Sequence, residues 1–285
     1  MSMDLFIPEI WAQKITQVLQ KSLVAQAICN TEVTGEVSKK GDLLHILAAS
    51  AVSTDDYVAG TNITYEDATV TDTELSIDVD KVFALIVRDE DKLQAAAPWE
   101  QIFAQDGAYQ LRDDLDVLIL GEYANAGLDS YETGSTAWQL GATAADVPKL
   151  LDSLNKQLND ANAPMDGRYI VAPSILTQAF QRYVMSVSTD FGSEVLQNGS
   201  MGNLGGFEIF ASNNCTSGGG TTHGLCGVKG NSIALANQIA PNSIQNLGPA
   251  EGQFGDLIRG RLLAGHKTYR AATLIDINLN TTLLA

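Results

Sequence analysis

The sequence predicts an α+β fold, and three observations lead to that prediction. Residues 98–124 carry apolar side chains at helical spacing after Pro98, so one long helix is expected there. Extended segments with a period of two flank an acidic ribbon in the first third of the chain. From about residue 140, short helices and strands alternate. The chain therefore combines a hairpin and a long helix with an α/β lobe.

The N-terminal segment PEIWAQKITQVLQKSLVAQAI predicts an amphipathic helix, because Trp11, Ile15 and Val18 fall on one stripe. Cys29 is expected at a helix end, where it would act as a small hydrophobic residue. A polar turn that contains glycine and the strand LLHILAAS follow.

The acidic ribbon is TDDYVAGTNITYEDATVTDTE, residues 54–74, with six carboxylates and no basic side chain. Strands are expected on both sides of it, LLHILAAS before and ELSIDVDKVFALIV after, and Gly60 and Asn62 favour a turn between them. The pattern indicates a long two-stranded hairpin. Because an isolated hairpin is marginally stable in water, this one must pack against another surface.

The long helix would span about 26 residues, or roughly 39 Å at 1.5 Å per residue, and would form a spine across the molecule. Gly107 lies in its middle and costs about 1 kcal/mol relative to alanine, which predicts a bend or close packing there.

The lobe from residue 140 is predicted from a series of short patterns. These are the helix DVPKLLDSLNKQLNDA, the strand RYIVAP, the helix PSILTQAFQRYVM, the strand FEIFASNN, the loop TSGGGTTHG and a strand pair around LCGVKGNSIALANQ. The remaining segment, FGDLIRGRLLAGHKTYRAATLIDINLN, predicts strands, and Leu274, Ile275 and Ile277 are expected to pair back with the first lobe.

Composition excludes several classes of function. The chain has 34 acidic and 17 basic side chains, so its net charge of −17 disfavours sequence-specific binding to DNA. The densest basic cluster, with Lys267 among three arginines, is interpreted as solvated charge on a strand pair. Neither a signal peptide nor an apolar run of membrane-spanning length is found, which predicts a cytoplasmic product without a membrane partner. Three cysteines suit a reducing compartment.

The motifs give little support for catalysis or for a cofactor. Cys215, His223 and Cys226 have C-x7-H-x2-C spacing and lack a fourth zinc ligand, so a flexible glycine loop is the preferred interpretation. The segment GSMGNLGG lacks the G-x-G-x-x-G pattern, and neither a serine elbow nor a P-loop motif occurs. His45 and His266 are interpreted as structural. We therefore expect no catalytic residue, no cofactor and no metal.

Three neighbouring carboxylates on the long helix were a further candidate for an acid pair or a metal site. They are Asp113, Asp114 and Asp116, with Arg112 beside them. Residues 113 and 114 point apart on a helix, so a solvated face is the preferred interpretation.

The order of these parts resembles the major capsid proteins of tailed bacteriophages, which have the HK97-like fold. The resemblance rests on FIPEIWAQKITQVLQKSLV followed by GDLLHI, on DDYVAGTNITYEDATVTDTELSID, and on RYIVAPSILTQAF with GNLGGFEIFASNN. It covers nearly the whole chain, and the P22-like coat proteins are the group it resembles most.

The resemblance implies a domain division for the chain. The implied parts are an N-arm at residues 1–40, an E-loop hairpin with flanking P-domain strands at 41–97 (the E-loop itself at 50–76), the P-domain spine helix and the following loop at 98–139, an α/β A-domain at 140–240, and closing strands that return to the P-domain at 241–285.

In that family an E-loop lies on the next subunit of a hexamer or pentamer, so the packing surface that the ribbon needs would be another copy of the chain. The implied contacts between subunits join acidic residues of the ribbon to basic residues near the end of the chain. They are Asp55, Asp56, Glu66 and Asp67 on one side and Arg259, Arg261 and Arg270 on the other.

Some family members cross-link an E-loop lysine to an asparagine of a neighbour, but residues 50–76 contain no lysine, which predicts a non-covalent shell. The partners implied are many copies of the chain, with portal, scaffolding and decoration proteins as further candidates. An acidic shell would enclose double-stranded DNA without gripping it. The implied location is the virion, after synthesis in the cytoplasm of a bacterial host.

Three alternatives stay open at this point. An encapsulin-like compartment would share the fold and enclose cargo proteins. An α+β enzyme would need catalytic groups that converge in a pocket, and a monomeric binding module would not assemble.

Overall fold

The structure, a computed structural model, describes most of the chain. The described residues are 20–32, 43–49, 69–88, 99–129, 146–186, 202–218, 220–239, 244–249 and 255–280, with the single positions 52–54, 56, 59, 60, 62 and 65–67. Most of the predicted N-terminal helix lies outside these residues. In its described part the prediction is too long, because residues 20–24 are not helical and the helix is Ala25–Ile28 alone. Cys29 follows this short helix and is buried, as expected of a small hydrophobic residue.

The described helices alternate with strands along the chain. The helices are α1 Ala25–Ile28, α2 Trp99–Leu120, α3 Asp146–Asp160 and α4 Ser174–Ser186, with 3-10 turns at Gly121–Asn125 and Ala271–Thr273. The strands are β1 Leu43–Ala49, β2 Val70–Ser76, β3 Val79–Arg88, β4 Leu128–Asp129, β5 Arg168–Ala172, β6 Asn203–Leu204, β7 Phe207–Ala211, β8 Ser217–Gly218, β9 Thr221–Val228, β10 Ile233–Ile239, β11 Ile244–Pro249, β12 Gly255–Thr268 and β13 Leu274–Asn280. The mixture of helix and sheet confirms the α+β class at this level.

A seven-stranded sheet forms the larger layer, in the order β4-β13-β9-β5-β7-β6, with β8 paired to β9. Its strand β5 is buried on both faces. Ile170 and Ala172 pack with α3 and α4, while Tyr169 and Val171 pack on the side of α2. This alternation follows from the period of two along a strand, and it explains why residues 169–172, after Arg168, are apolar or aromatic on both faces.

A four-stranded sheet forms the second layer, with β12 at its centre. One edge of β12 pairs with β3 from Gly255 to Ala264, and the other edge pairs with β11 and then with β10. Helix α2 packs against both sheets, because Leu115 shares one core with Leu225 of β9 and Leu262 of β12. The expected spine helix is therefore confirmed as α2, which the 3-10 turn extends to Asn125.

Close packing at Gly107 of α2 is also confirmed. A Cβ at this position would lie less than 3.0 Å from the ring atoms of Phe83 on β3. A Cβ at Gly260 of β12 would meet another edge of the same ring, so the ring is held between two glycines.

Three expectations about the strands need correction. The acidic ribbon is followed by two strands, β2 and β3, and they belong to different sheets. Strands β9 and β10 do not pair with each other, because β9 lies in the seven-stranded sheet and β10 in the four-stranded one. The expected loop TSGGGTTHG contains β8 and the beginning of β9, whose alternate side chains are buried between partner strands.

The expected pairing of the last strand, β13, with the first lobe is found at only one of the two edges of β13. Ile275 pairs with Leu128 of β4, but β13 pairs along its whole length with β9 of the second lobe. Strand β12, and not β13, makes the long return pairing with β3. The reason is that β13 is buried over most of its length and places Leu274 in one core and Ile275 and Ile277 in another, as a strand inside a covered sheet requires.

Candidate assembly surface

The β1–β2 hairpin exposes most of its described side chains. The antiparallel register pairs Leu43 with Ser76 and Ala49 with Val70. One face of its base packs on the body of the molecule, where Leu75 shares a core with Leu263. The opposite face is open, and Leu47 on it is 67% exposed. The hairpin is therefore anchored at its base and presents an apolar and acidic face.

The described residues of the hairpin tip include one contact between its two sides. Ser53 stands across from Glu66 and donates hydrogen bonds to its carboxylate, one of them from the backbone N–H at 3.3 Å. The turn lies at Ala59 and Gly60, where a φ of +89° suits glycine. Tyr65 beside the tip is 90% exposed. The turn predicted at Gly60 is confirmed.

The acidic residues proposed from the sequence lie on this tip wherever they are described. Asp56, Glu66 and Asp67 are exposed, and Asp55 falls outside the described residues. The hydrogen bonds from Ser53 lower the pKa of Glu66. Glu66 therefore has a partner within its own chain, and Asp56 and Asp67 present their carboxylates to solvent.

The basic residues proposed from the sequence fall into two places. Arg259 and Arg261 are both exposed on β12, two residues apart, so their side chains lie on the same face. The register sets Arg259 opposite Ala84 and Arg261 opposite Val82 of β3, and Val82 is 68% exposed. We call these four residues, together with Asp80, the outer sheet face.

Arg261 already has a partner on the outer sheet face. Its Nε and Nη2 donate to the two carboxylate oxygens of Asp80 at 2.8 Å and 2.7 Å. This bidentate contact raises the pKa of Arg261. Arg270 lies beyond the opposite end of β12, with its guanidinium 5.8 Å from the ring centre of Tyr269. The structure therefore brings together Arg259 and Arg261 and leaves Arg270 apart from them.

Comparisons with known proteins agree on one kind of molecule. No protein-family model matches the chain, and no curated protein sequence matches it. A solved structure from Mycobacterium phage Che8 matches 96% of this chain and 98% of its own chain, with 26% identity and a TM-score of 0.82. The capsid structure of the cyanophage P-SCSP1u matches 96% of this chain and 92% of its own, with 16% identity and a TM-score of 0.72.

The mature capsid of bacteriophage PhiM1 matches the same share of this chain and 92% of its own, with 13% identity and a TM-score of 0.70. The chain therefore shares its fold with these phage structures. The two structures below 25% identity show the fold alone. Each match extends over almost the full length of both chains.

The interior of the protein contains a polar contact that sequence reasoning missed. Asp116 was interpreted as part of a solvated helix face, but it is fully buried. Its Oδ1 accepts hydrogen bonds from the backbone N–H groups of Val24 and Ala25, at 2.8 Å and 2.7 Å. Its Oδ2 accepts one from Nδ2 of Asn214 at 3.0 Å. Asp116 therefore joins α2 to the segment before α1 and to the end of β7.

Neighbouring charges on α2 complete this contact. Lys21 Nζ donates to Asp113 at 3.1 Å and to Asn214 at 2.8 Å, and Asp113 also accepts from Asn214 at 2.6 Å. Asp114 makes an exposed ion pair with Lys81 of β3 at 3.6 Å. Of the three carboxylates, Asp114 alone fits the solvated interpretation.

A second buried carboxylate lies where α2 ends. Burial by itself would raise the pKa of Glu122, but hydrogen bonds from His266, Thr268 and Asn125 outweigh it and lower the pKa to about 2. Thr268 Oγ1 donates at 2.7 Å and Asn125 Nδ2 at 2.9 Å, and His266 Nε2 lies 3.2 Å from Oε1. His266 therefore has a structural role, because its contact with Glu122 links β12 to the end of α2.

Of the Cys215, His223 and Cys226 set, His223 and Cys226 lie on β9 of the seven-stranded sheet, and Cys215 lies between β7 and β8. His223 Nδ1 contacts the carboxylate of Asp276 at 2.9 Å, and its ring stacks on Tyr123 at 4.1 Å. All cysteines of the described residues are free, and burial raises the pKa of each thiol. The side chains that could together hold a metal in the described part of the chain are His45, Asp72 and Glu74.

None of the helices in the described residues is both long enough and apolar enough to cross a membrane.

Proposed function

We propose that this protein is a phage capsid protein, the repeating subunit of an icosahedral shell with the HK97-like fold. Copies would assemble without covalent links into hexamers and pentamers that enclose double-stranded DNA. The observation that carries the proposal is the β1–β2 hairpin, which is anchored at its base and exposes Leu47, Tyr65 and a row of carboxylates beyond it. Such a face gains stability when a neighbouring copy covers it.

The proposal includes the domain division that the resemblance implies. Residues 1–40 would form the N-arm, 41–97 the E-loop hairpin with its flanking strands, and 98–139 the spine helix with its loop. Residues 140–240 would form the A-domain. The closing strands at 241–285 would return to the P-domain through β12, which pairs with β3.

The outer sheet face is our candidate for the surface that receives the hairpin of an adjacent copy. It offers exposed apolar area at Val82 and a guanidinium at Arg259, which complement the apolar and acidic side chains of the hairpin. Arg261 would contact the neighbour as an ion pair with Asp80, because the carboxylate oxygens of Asp80 already accept hydrogen bonds from Arg261. Arg270 would contact a different part of the neighbour.

The role that these features support is structural and not catalytic, with the virion as the location. The net charge of −17 would let packaged DNA slide along the inner wall. Synthesis in a bacterial cytoplasm, and contacts with portal, scaffolding and decoration proteins, belong to the proposal as well. The encapsulin alternative is not favoured, because the three solved structures described above come from phages.

Negative-stain microscopy of the expressed protein tests the proposal. Closed shells of uniform diameter are the expected result, and a monomer in size-exclusion chromatography under the same conditions would overturn it. A denaturing gel of the particles tests the absence of covalent links. One band at 30.4 kDa is expected, and a ladder of larger bands would contradict the non-covalent assembly.

A further inference from the structure

We propose that His45, Asp72 and Glu74 form a binding site for a divalent transition-metal ion, with Zn²⁺ as the best match. The three side chains lie on the open face of the β1–β2 hairpin. His45 is directly opposite Glu74 in the register. Asp72 lies two residues before Glu74 on β2, so its side chain is on the same face. One ligand atom from each of the three lies within 4.8 Å of the others.

The distances suit a site that closes around an ion. His45 Nδ1 lies 2.6 Å from Asp72 Oδ2. Zinc bonds of about 2.0–2.2 Å in a tetrahedron place ligand atoms roughly 3.3–3.6 Å apart. The three donors therefore need shifts of about 1 Å, which exposed side chains make by rotamer changes. Water would fill the fourth position.

The donor set selects the class of ion. Ca²⁺ and Mg²⁺ prefer oxygen ligands throughout, whereas an imidazole nitrogen with two carboxylates is typical of zinc and its neighbours. A metal bound by side chains of both β1 and β2 would also stabilise the hairpin, because it would link two strands that are marginally stable in isolation.

The charges around the site favour a cation independently of the ligand geometry. Asp72 and Glu74 place two carboxylates side by side, and residues 50–76 contain neither lysine nor arginine. The chain as a whole carries a net charge of −17. A divalent ion would relieve the repulsion between the two carboxylates, which a single histidine does in part.

The competing account is a cross-strand ion pair between His45 and Asp72 that binds no metal. The two accounts differ at Glu74, which the ion pair does not need and the metal site does. Glu74→Gln keeps the His45–Asp72 pair and removes one ligand. His45→Gln removes the nitrogen ligand.

Isothermal titration calorimetry of the full-length protein with Zn²⁺ alone separates these accounts, after chelator treatment and dialysis. We expect one equivalent of Zn²⁺ to bind the native protein, and both Glu74→Gln and His45→Gln to weaken it by about tenfold or more. The matched control, Asp56→Asn with Asp67→Asn, removes two carboxylates of the same hairpin and should bind as the native protein does. Circular dichroism checks that each variant is folded.

Two results would overturn the metal site. One is the absence of saturable Zn²⁺ binding by the native protein. The other is equal weakening by the control variant, which would mean that zinc responds to the overall negative charge of the hairpin and not to these three ligands.

Discussion

The ring of Phe83 occupies the space that a side chain at Gly107 would need, and Gly260 borders the same ring from β12. Through this contact β3 and β12 approach the long helix α2 closely. The three residues are far apart in the sequence, and the contact depends on the absence of two side chains as much as on the presence of a ring.

Replacing Gly107 by alanine should therefore destabilise the protein. Alanine gains about 1 kcal/mol of helix propensity, but overpacking of a confined ring costs about 1–3 kcal/mol, and Gly260 leaves the ring little room to move. Urea denaturation should show a net loss for Gly107→Ala. Gly121→Ala is the matched control, because a Cβ there meets nothing within 4 Å. A gain in stability for Gly107→Ala would contradict the described packing.

Asp116→Ala should be more costly. The substitution leaves the buried N–H groups of Val24 and Ala25 without their acceptor, and each such group costs about 1–3 kcal/mol. We expect a loss of about 2–4 kcal/mol in the free energy of unfolding. Asp114→Ala, which breaks an exposed ion pair with Lys81, should cost less than about 1 kcal/mol. Equal effects of the two variants would argue against the buried role of Asp116.

The buried role of Asp116 shows where reasoning from the sequence reaches its limit. Helix α2 could be predicted because its apolar spacing repeats over many residues, and β5 because residues 169–172 form a short apolar and aromatic run. The partners of Asp116 come from positions more than 90 residues away, at Val24 and Asn214, so nothing local separates Asp116 from its exposed neighbour Asp114.

The pairing of strands was hidden for a similar reason. Strands β9 and β10 are adjacent in the sequence and have the patterns of a hairpin, yet they lie in different sheets. Ser232 lies between them, where the chain passes from one sheet to the other. Its Oγ donates to the carbonyl oxygen of Thr273 at 3.1 Å. The candidate assembly surface was predictable in part, since the acidic ribbon is evident in the sequence, whereas the separation of Arg270 from Arg259 depends on the length of β12.

Glu122 should make the stability of the protein depend on acidity. Its pKa falls from an ordinary 4.5 to about 2 in the folded protein, because the hydrogen bonds to His266, Thr268 and Asn125 outweigh burial. A carboxyl group with a lowered pKa contributes stability that is present above pH 4.5 and is lost as the pH falls towards 2. Thermal denaturation of the native protein and of Glu122→Gln should therefore differ most above pH 4.5 and converge below it. A difference that does not change with pH would exclude this role for Glu122.

Charge reversal at the hairpin tip should impair assembly and leave folding intact. Asp55→Lys with Asp56→Lys replaces two negative charges by two positive ones, which should repel a basic surface on the neighbour. Particle yield by size-exclusion chromatography should fall, while the circular dichroism spectrum of the subunit should stay the same. The double variant Asp152→Lys with Asp166→Lys makes the same change in charge at exposed positions of the second lobe and serves as the control. Normal shells from the tip variant would remove these contacts from the proposal.

Hydrogen–deuterium exchange of the β1–β2 hairpin, compared between the free subunit and the assembled particle, tests the central claim most directly. We predict that the amide groups of residues 52–67 exchange rapidly in the free subunit and become protected in the particle, because an adjacent copy covers them. Equal exchange in the two states would contradict the claim that the hairpin docks on a neighbouring subunit.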